Sequence, residues 1–351
     1  MKLDMEQFKA AFAVVDTAAS GVDDCSNFVR LQQADDRLTM ALTLIGRVCA
    51  EATISAPDGG RWTMYADRRL LKAFLATTNA KELEAYVKES KLTLRAGQRL
   101  EIAAHDTIDG YETWSPKNTL KLPEESGNAL KMLVKYLPTI PGMDHVGAVL
   151  YDATWGMLAS DTLVMSFIGI PCGTTFFLPS ELAKIAIGIT GDLAHDKTGT
   201  GIRVRNTGYV YSPTSTELDK FPVAQFKKLI ADALKAKTIL TISAKKLMDV
   251  LSVASQFLLD GGESALVEPT AKGLLVTVDM KSGKFQRPVS AVSVVSEMQA
   301  KQWPVRSLLP WLEYIAALKE GVAVEYVVIE NASALRLREK PRSVLMFVDL
   351  A

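Results

Sequence analysis

The same order of elements occurs three times along this chain of 351 residues, and that recurrence limits the folds open to it more than any other feature. Each copy opens on a run whose apolar residues recur at i, i+3, i+4 and i+7, the spacing of one helix face. In the first run, Met5 to Ala18, these residues are Phe8, Phe12 and Val15; in the second, Asn128 to Leu137, they are Leu130, Leu133, Val134 and Leu137. In the third, Ala244 to Leu258, they are Leu247, Val250, Leu251, Ala254 and Leu258. Segments rich in Val, Ile and Thr follow and read as strands, among them Leu38 to Ile45, Val146 to Tyr151 and Ala265 to Val278. A second helix is then expected from about Ala66, Pro179 and Pro304; proline suits a first helical turn, where its missing N–H leaves no bond unmade. Hairpins are expected after these helices over Leu92 to Ile102, Ile202 to Tyr211 and Val324 to Leu337, turning near Gly97, Gly208 and Asn331.

Polar stretches at 121–127 and 233–238 separate the copies, so the expected domains are 1–121, 122–238 and 239–351. The fold class is α+β: three repeated domains, each with two helices packed on antiparallel sheet. Lys and Arg together number 40, as do Asp and Glu, so the net charge is zero. That balance excludes a protein that grips nucleic acid through global basicity, but it allows a basic stripe offset by acidic surface elsewhere. Cys25, Cys49 and Cys172 are too far apart for a metal-ligand motif, and their odd number fits reduced thiols in the cytoplasm. No cofactor or metal is implied. The first eleven residues carry Lys2, Asp4, Glu6 and Lys9 and so lack the apolar core of a signal peptide. The strongly apolar stretch from Leu163 to Ile170 falls well short of the roughly 20 residues that span a bilayer, and no membrane partner is expected.

The middle of the chain carries more specific patterns. Residues 155 to 165 (TrpGlyMetLeuAlaSerAspThrLeuValMet) resemble the strand of bacterial DNA sliding clamps that ends in Ala-Thr-Asp-Gly, and PhePheLeuProSerGluLeuAlaLys (176 to 184) follows as it does there. LeuAspLysPhePro (218 to 222) is similar to the stretch of that family ending in Phe-Pro. The opening Met-Lys-Leu with its helix and the closing hydrophobic strand from Val344 extend the resemblance over the whole chain. Thr162 stands where the family usually has Gly, Phe226 where a basic residue is common, and Asp349 where the tail is often basic. The segment from Ser20 to Asp24 lacks the Arg that many clamps place there. These departures point to a divergent member, and a viral source is in keeping with them.

The resemblance implies a DNA polymerase processivity factor that performs no covalent chemistry. It implies a six-domain ring, built as a head-to-tail homodimer, enclosing duplex DNA without regard to sequence. The cations implied to face DNA are Lys9, Arg68, Arg69, Lys72, Lys131, Lys135, Lys245 and Lys246. The implied dimer interface joins Leu100 and Ile102 of one copy to Phe257 and Leu258 of the other. A pocket for short peptide motifs of the polymerase and the clamp loader is implied at Val146, Ser160, Thr162, Met165, Pro222, Phe226, Val344, Met346, Val348 and Leu350. Read without the resemblance, the cations make ordinary solvated helix faces, while Phe257, Leu258, Met165 and Met346 serve as core.

Two readings from other classes remain open on the residues alone. Asp196-Lys197-Thr198-Gly199-Thr200 reproduces the phosphorylated-aspartate motif of ion pumps, which makes a phosphotransfer or hydrolytic enzyme using Asp196 an alternative. The many membrane spans and the nucleotide domain that accompany that motif have no counterpart in this sequence, and the segment falls where the repeat expects a polar turn. The other alternative is a ring scaffold unrelated to DNA. His105, His145 and His195 adjoin no Ser or Cys in a catalytic arrangement.

Overall fold

The computed structural model describes residues 1–19, 28–44, 48–57, 60–103, 114, 119–138, 146–161, 163–188, 191–204, 208–213, 216–258, 264–296, 298–329 and 332–348. Among these are seven α-helices: α1 (Met5–Thr17), α2 (Arg68–Thr77), α3 (Ser126–Leu133), α4 (Ser180–Ala186), α5 (Val223–Lys235), α6 (Ala244–Phe257) and α7 (Val305–Leu318). Three begin where a side chain can take up free backbone donors. Asp4 accepts from the Gln7 amide, Asp67 from those of Arg69 and Leu70, and Ser243 from that of Lys246. The second helix of each copy starts at Arg68, Ser180 and Val305, within two residues of expectation.

Three local expectations need correction. The first helix of the second copy ends early, at Leu133, and Val134–Tyr136 continue as a 3-10 turn. The stretch 233–238, expected as linker, is helical up to Lys235, the end of α5. In the third copy the hairpin equivalent by order to 91–103 and 199–213 is Ala332–Leu337 with Ser343–Val348, one strand later than expected.

The chain divides into two compact units, residues 1–121 with 181–214 and residues 122–180 with 215–351. The first unit holds a four-stranded sheet in the order Lys2–Asp4, Glu82–Lys88, Lys91–Arg95, Arg99–Ala103. It also holds a seven-stranded sheet ordered Asp192–His195, Gly199–Val204, Gly208–Pro213, Val48–Ser55, Arg37–Leu44, Phe28–Ala34, Trp62–Asp67. The second unit is organised on twelve strands. From one edge these run Phe176–Pro179, Ala148–Tyr151, Met157–Ser160, Val164–Ile168, Ser343–Val348, Ala332–Leu337, Ala323–Ile329 and Leu240–Ser243. They continue through Gly283–Val294, Gly273–Met280, Ser264–Thr270 and Lys301–Pro304. The pairings are antiparallel throughout.

Strand character explains which segments sit centrally. Every residue of Val164–Ile168 is buried, so both faces are covered and the alternation of a half-exposed strand is lost. On one face Met165 and Phe167 join Ile230 and Ala233 of α5 in a hydrophobic cluster. On the other, Ser166 Oγ lies 3.5 Å from Met132 Sδ of α3. The Phe28–Ala34 strand, by contrast, alternates buried with more exposed residues.

Each copy contains a three-stranded meander, spanning 28–55, 148–168 and 264–294. The last strand of the second copy pairs with the third meander strand of the first, from Gly208↔Ala52 to Tyr211↔Cys49. The last strand of the third copy pairs in the same way with the second, from Val164↔Phe347 to Ile168↔Ser343. At the first of these joints the backbones are too close for a side chain: a Cβ on Gly208 would lie 2.1 Å from Glu51 O and 2.8 Å from Ala52 Cα. Backbone atoms held in a ladder cannot move aside. Gly208→Ala should therefore destabilise the first unit by about 2 kcal/mol, as overpacking does. Chemical denaturation of the variant checks this, and an unchanged midpoint would mean that the joint is looser than described.

Candidate functional site

The residues singled out in the sequence fall into three sets. The first is cationic. Lys9 lies on α1, Arg68, Arg69 and Lys72 on α2, Lys131 on α3, Lys135 in the 3-10 turn after it, and Lys245 and Lys246 on α6. Lys9 Nζ donates to the Thr78 carbonyl at 2.7 Å, and Asp16 on α1 accepts from Arg68 at 2.5 Å and Lys72 at 2.8 Å. Part of the positive charge predicted on α1 and α2 thus ties those helices together. Arg69, Lys131, Lys135, Lys245 and Lys246 are exposed and form no ion pair among the described residues. Lys245 and Lys246 stand in the first turn of α6, where cations oppose the helix dipole. Helix stability alone would not select them there, and a nearby anion would relieve the repulsion.

The second set is a pair of strand edges that lack a neighbour among the described residues. Arg99–Ala103, carrying half-buried Leu100 and buried Ile102, is paired among these residues on one side only, with Lys91–Arg95. In the third copy, residues 283–290 pair with 273–280 and, among the described residues, with no second strand. Phe257 stacks on Phe285 of that strand with ring centroids 4.7 Å apart. Leu258, next to it, is buried, and its carbonyl accepts from Arg306 at 2.7 Å.

The third set surrounds α5. Met165 and Met346 face each other across neighbouring strands, and both are buried with Val146 and Val344 in one apolar cluster. Phe226 packs against that cluster from α5, and Pro222 precedes the helix, half-buried. Ser160 is buried, its hydroxyl donating to the Val164 carbonyl at 3.1 Å. Val348, 44% exposed, is the most open of the predicted wall residues described. Thr162 and Leu350 lie outside the described residues.

Beside the cluster opens a cavity of about 950 Å³ whose lining includes Trp155, Phe167, Ile170, Ile230, Leu234 and Arg342. None of these is among the pocket residues expected from the sequence. Phe167 was within its reach, lying two residues beyond Met165 on the same strand face, and so was α5, in which Phe226, Ile230 and Ala233 recur at helical spacing. At one side of the cavity Asp152 accepts from the Thr154 and Trp155 amides and from Lys227 Nζ at 2.9 Å, and Lys227 also sits 5.1 Å above the Trp155 ring. Burial opposes ionisation of Asp152, but these donors outweigh it and hold the carboxyl below its usual range.

Behind α5 lies a side chain whose type hides its place. Arg336 is fully buried, its guanidinium donating to Glu325 at 2.7 Å, to the Ala233 carbonyl in the last turn of α5 at 2.5 Å and to Thr238 at 3.0 Å. It fastens α5 and the segment after it to the sheet.

Asp196 is occupied by its own turn. One carboxylate oxygen accepts from the Thr198 amide, the Thr198 hydroxyl and the Gly199 amide, and the other accepts from Trp114 Nε1 at 3.1 Å. Burial works against its charge, and this set of donors prevails and lowers its pKa. Of the other residues weighed in the sequence, Cys49 and Cys172 are buried thiols outside any disulfide, and burial pushes the Cys172 thiol up to about 12. Cys25, His105 and His145 lie outside the described residues. Among the described residues no helix is long and apolar enough to cross a membrane.

Repeated copies of two helices on antiparallel sheet, joined strand edge to strand edge, define a DNA-clamp fold. Within that class the chain has the fold of the bacterial DNA polymerase III beta subunit. The Thermotoga maritima beta subunit superposes with a TM-score of 0.79 at 12% identity, covering 100% of this chain and 98% of that one. A putative beta subunit of Eubacterium rectale gives a TM-score of 0.82 at 9% identity, covering 99% and 98%. The Helicobacter pylori beta clamp, solved with a DNA ligase peptide, gives 0.74 at 9% identity, covering 100% and 99%. No protein-family model and no curated protein matches the sequence.

Proposed function

We propose that the chain is a polymerase processivity factor of three domains, 1–121, 122–238 and 239–351, two copies of which close a ring around duplex DNA. The observation that carries this reading is the pattern of joints. Two strand-edge joints of one design are made within the chain, and among the described residues the elements for a third are left open at 99–103 and 283–290. Since these two edges belong to the first and the last copy, a second chain can use both, so that the contact forms twice and closes. Phe257 stacked on Phe285, with Leu100 and Ile102, would then flank the joint. The exposed cations of α2, α3 and α6 would meet phosphates without reading bases. The clamp solved with a ligase peptide supports a docking role for the surface around Met165, Pro222, Phe226, Met346 and Val348, through which a polymerase and a loader would be tethered.

Enclosure is tested by topology. Chains diluted to monomers, mixed with circular duplex and then concentrated should remain with the circle through a high-salt wash. Cutting the circle once should release them. Equal retention on circular and linear DNA, or on neither, would exclude the ring reading.

A further inference from the structure

The open cavity beside α5 is not explained by the docking residues discussed above. None of Val146, Ser160, Met165, Pro222, Phe226, Val344, Met346 or Val348 lines it. Its volume of about 950 Å³ lies at the upper end of the range of ligand sites, roughly 300 to 1,000 Å³. Its apolar lining includes Trp155 and Phe167, whose rings lie 4.9 Å apart, and Ile230 and Leu234 of α5.

Charge at the lining is one-sided. Lys227, Lys340 and Arg342 are set against Glu125 alone. Lys227 is engaged by Asp152, but Lys340 and Arg342 are exposed and form no ion pair among the described residues. An occupant that satisfies this site needs bulk for the aromatic wall and negative charge for the two free cations.

We propose that this cavity is a second docking site, selective for a short peptide in which large apolar side chains are flanked by carboxylates. The apolar pair enters between Trp155, Phe167 and α5 while the carboxylates meet Lys340 and Arg342. The inference does not depend on the ring reading, because the cavity lies wholly within the second unit.

The test uses the full-length chain without DNA and a fluorescein-labelled peptide, Asp-Leu-Phe-Asp with blocked ends, followed by anisotropy. The peptide should bind saturably, and its Asn-Leu-Phe-Asn counterpart at least tenfold more weakly. Lys340→Gln with Arg342→Gln should bring about the same loss, since both residues are exposed and the fold does not rely on their charge. Ile230→Trp, which fills the cavity without altering charge, should abolish binding; should it fail to fold, the Gln pair still decides the matter. Val348→Asp, in the neighbouring surface, should leave affinity unchanged. No saturable binding at millimolar peptide, equal affinity for the neutral peptide, or an effect of Val348→Asp in place of the Gln pair would each overturn the proposal.

Discussion

Replacing Arg336 by Met should lower the stability of the second unit by about 3 to 5 kcal/mol, the loss typical when one partner of a buried ion pair is removed. Three acceptors would lose their donor at once: Glu325, Thr238 and the Ala233 carbonyl. Arg338, 3.0 Å from Glu325 but more than half exposed, can compensate only in part. Urea denaturation measures the loss, and hydrogen exchange should show α5 opening before the sheet. A cost below 1 kcal/mol would mean that α5 is held by its apolar face alone. The pair also predicts a pH response. Burial raises the pKa of Glu325, but its bonds to Arg336 and Thr238 prevail and lower it, while Arg336 stays charged because its ordinary value is so high. A folded pKa below the unfolded one stabilises the protein above the ordinary carboxylate range, and that contribution fades as pH falls through the depressed folded value. The Met variant should therefore lose part of the acid sensitivity of the parent.

Phe285→Asp should leave a folded chain that no longer self-associates. Phe285 is half-buried and stacks on Phe257 beside the open strand edge, so a carboxylate there would be desolvated without a partner when two chains pair. Losing a central aromatic anchor typically costs about 2 to 4 kcal/mol, a thirty- to thousandfold rise in the dissociation constant. Light scattering at micromolar concentration should find the parent at twice the chain mass and the variant at one. A variant that remains dimeric would move the interface elsewhere, and a monomeric parent would remove it. Because the substitution lies outside the cavity beside α5, peptide binding there should be unaffected.

Much of this architecture is written in local periodicity. Phe8, Phe12 and Val15 mark α1, and Leu247, Val250, Leu251 and Ala254 mark α6; all are buried where the helical spacing puts them. Alternation, turn residues and proline at the head of the second helices carry most of the rest. What escaped is long-range. Arg336 stands in the run Arg-Leu-Arg-Glu-Lys, which reads as the polar end of a strand, and only the approach of α5 and Glu325 makes its burial tolerable. Asp16 offers no local hint that it would take up Arg68 and Lys72, more than fifty residues away. The cavity is formed by residues from 123–125, the turn after Tyr151, the 167–171 stretch, α5 and the 340–342 turn, five segments that no sequence window spans.

The strand-edge joints bear on how such a chain can diverge. At 49–52 with 208–211, and again at 164–168 with 343–347, one copy holds the next through main-chain N–H and C=O groups, which every residue except proline supplies. A joint of that kind demands extended backbone, the right alternation of faces and room at a position such as Gly208, but it specifies few side chains. Substitutions can then accumulate across it one at a time, each tolerated while the ladder holds. Lineages separated for long enough would share almost no residues and still superpose along their whole length, as this chain does with beta subunits at 9 to 12% identity.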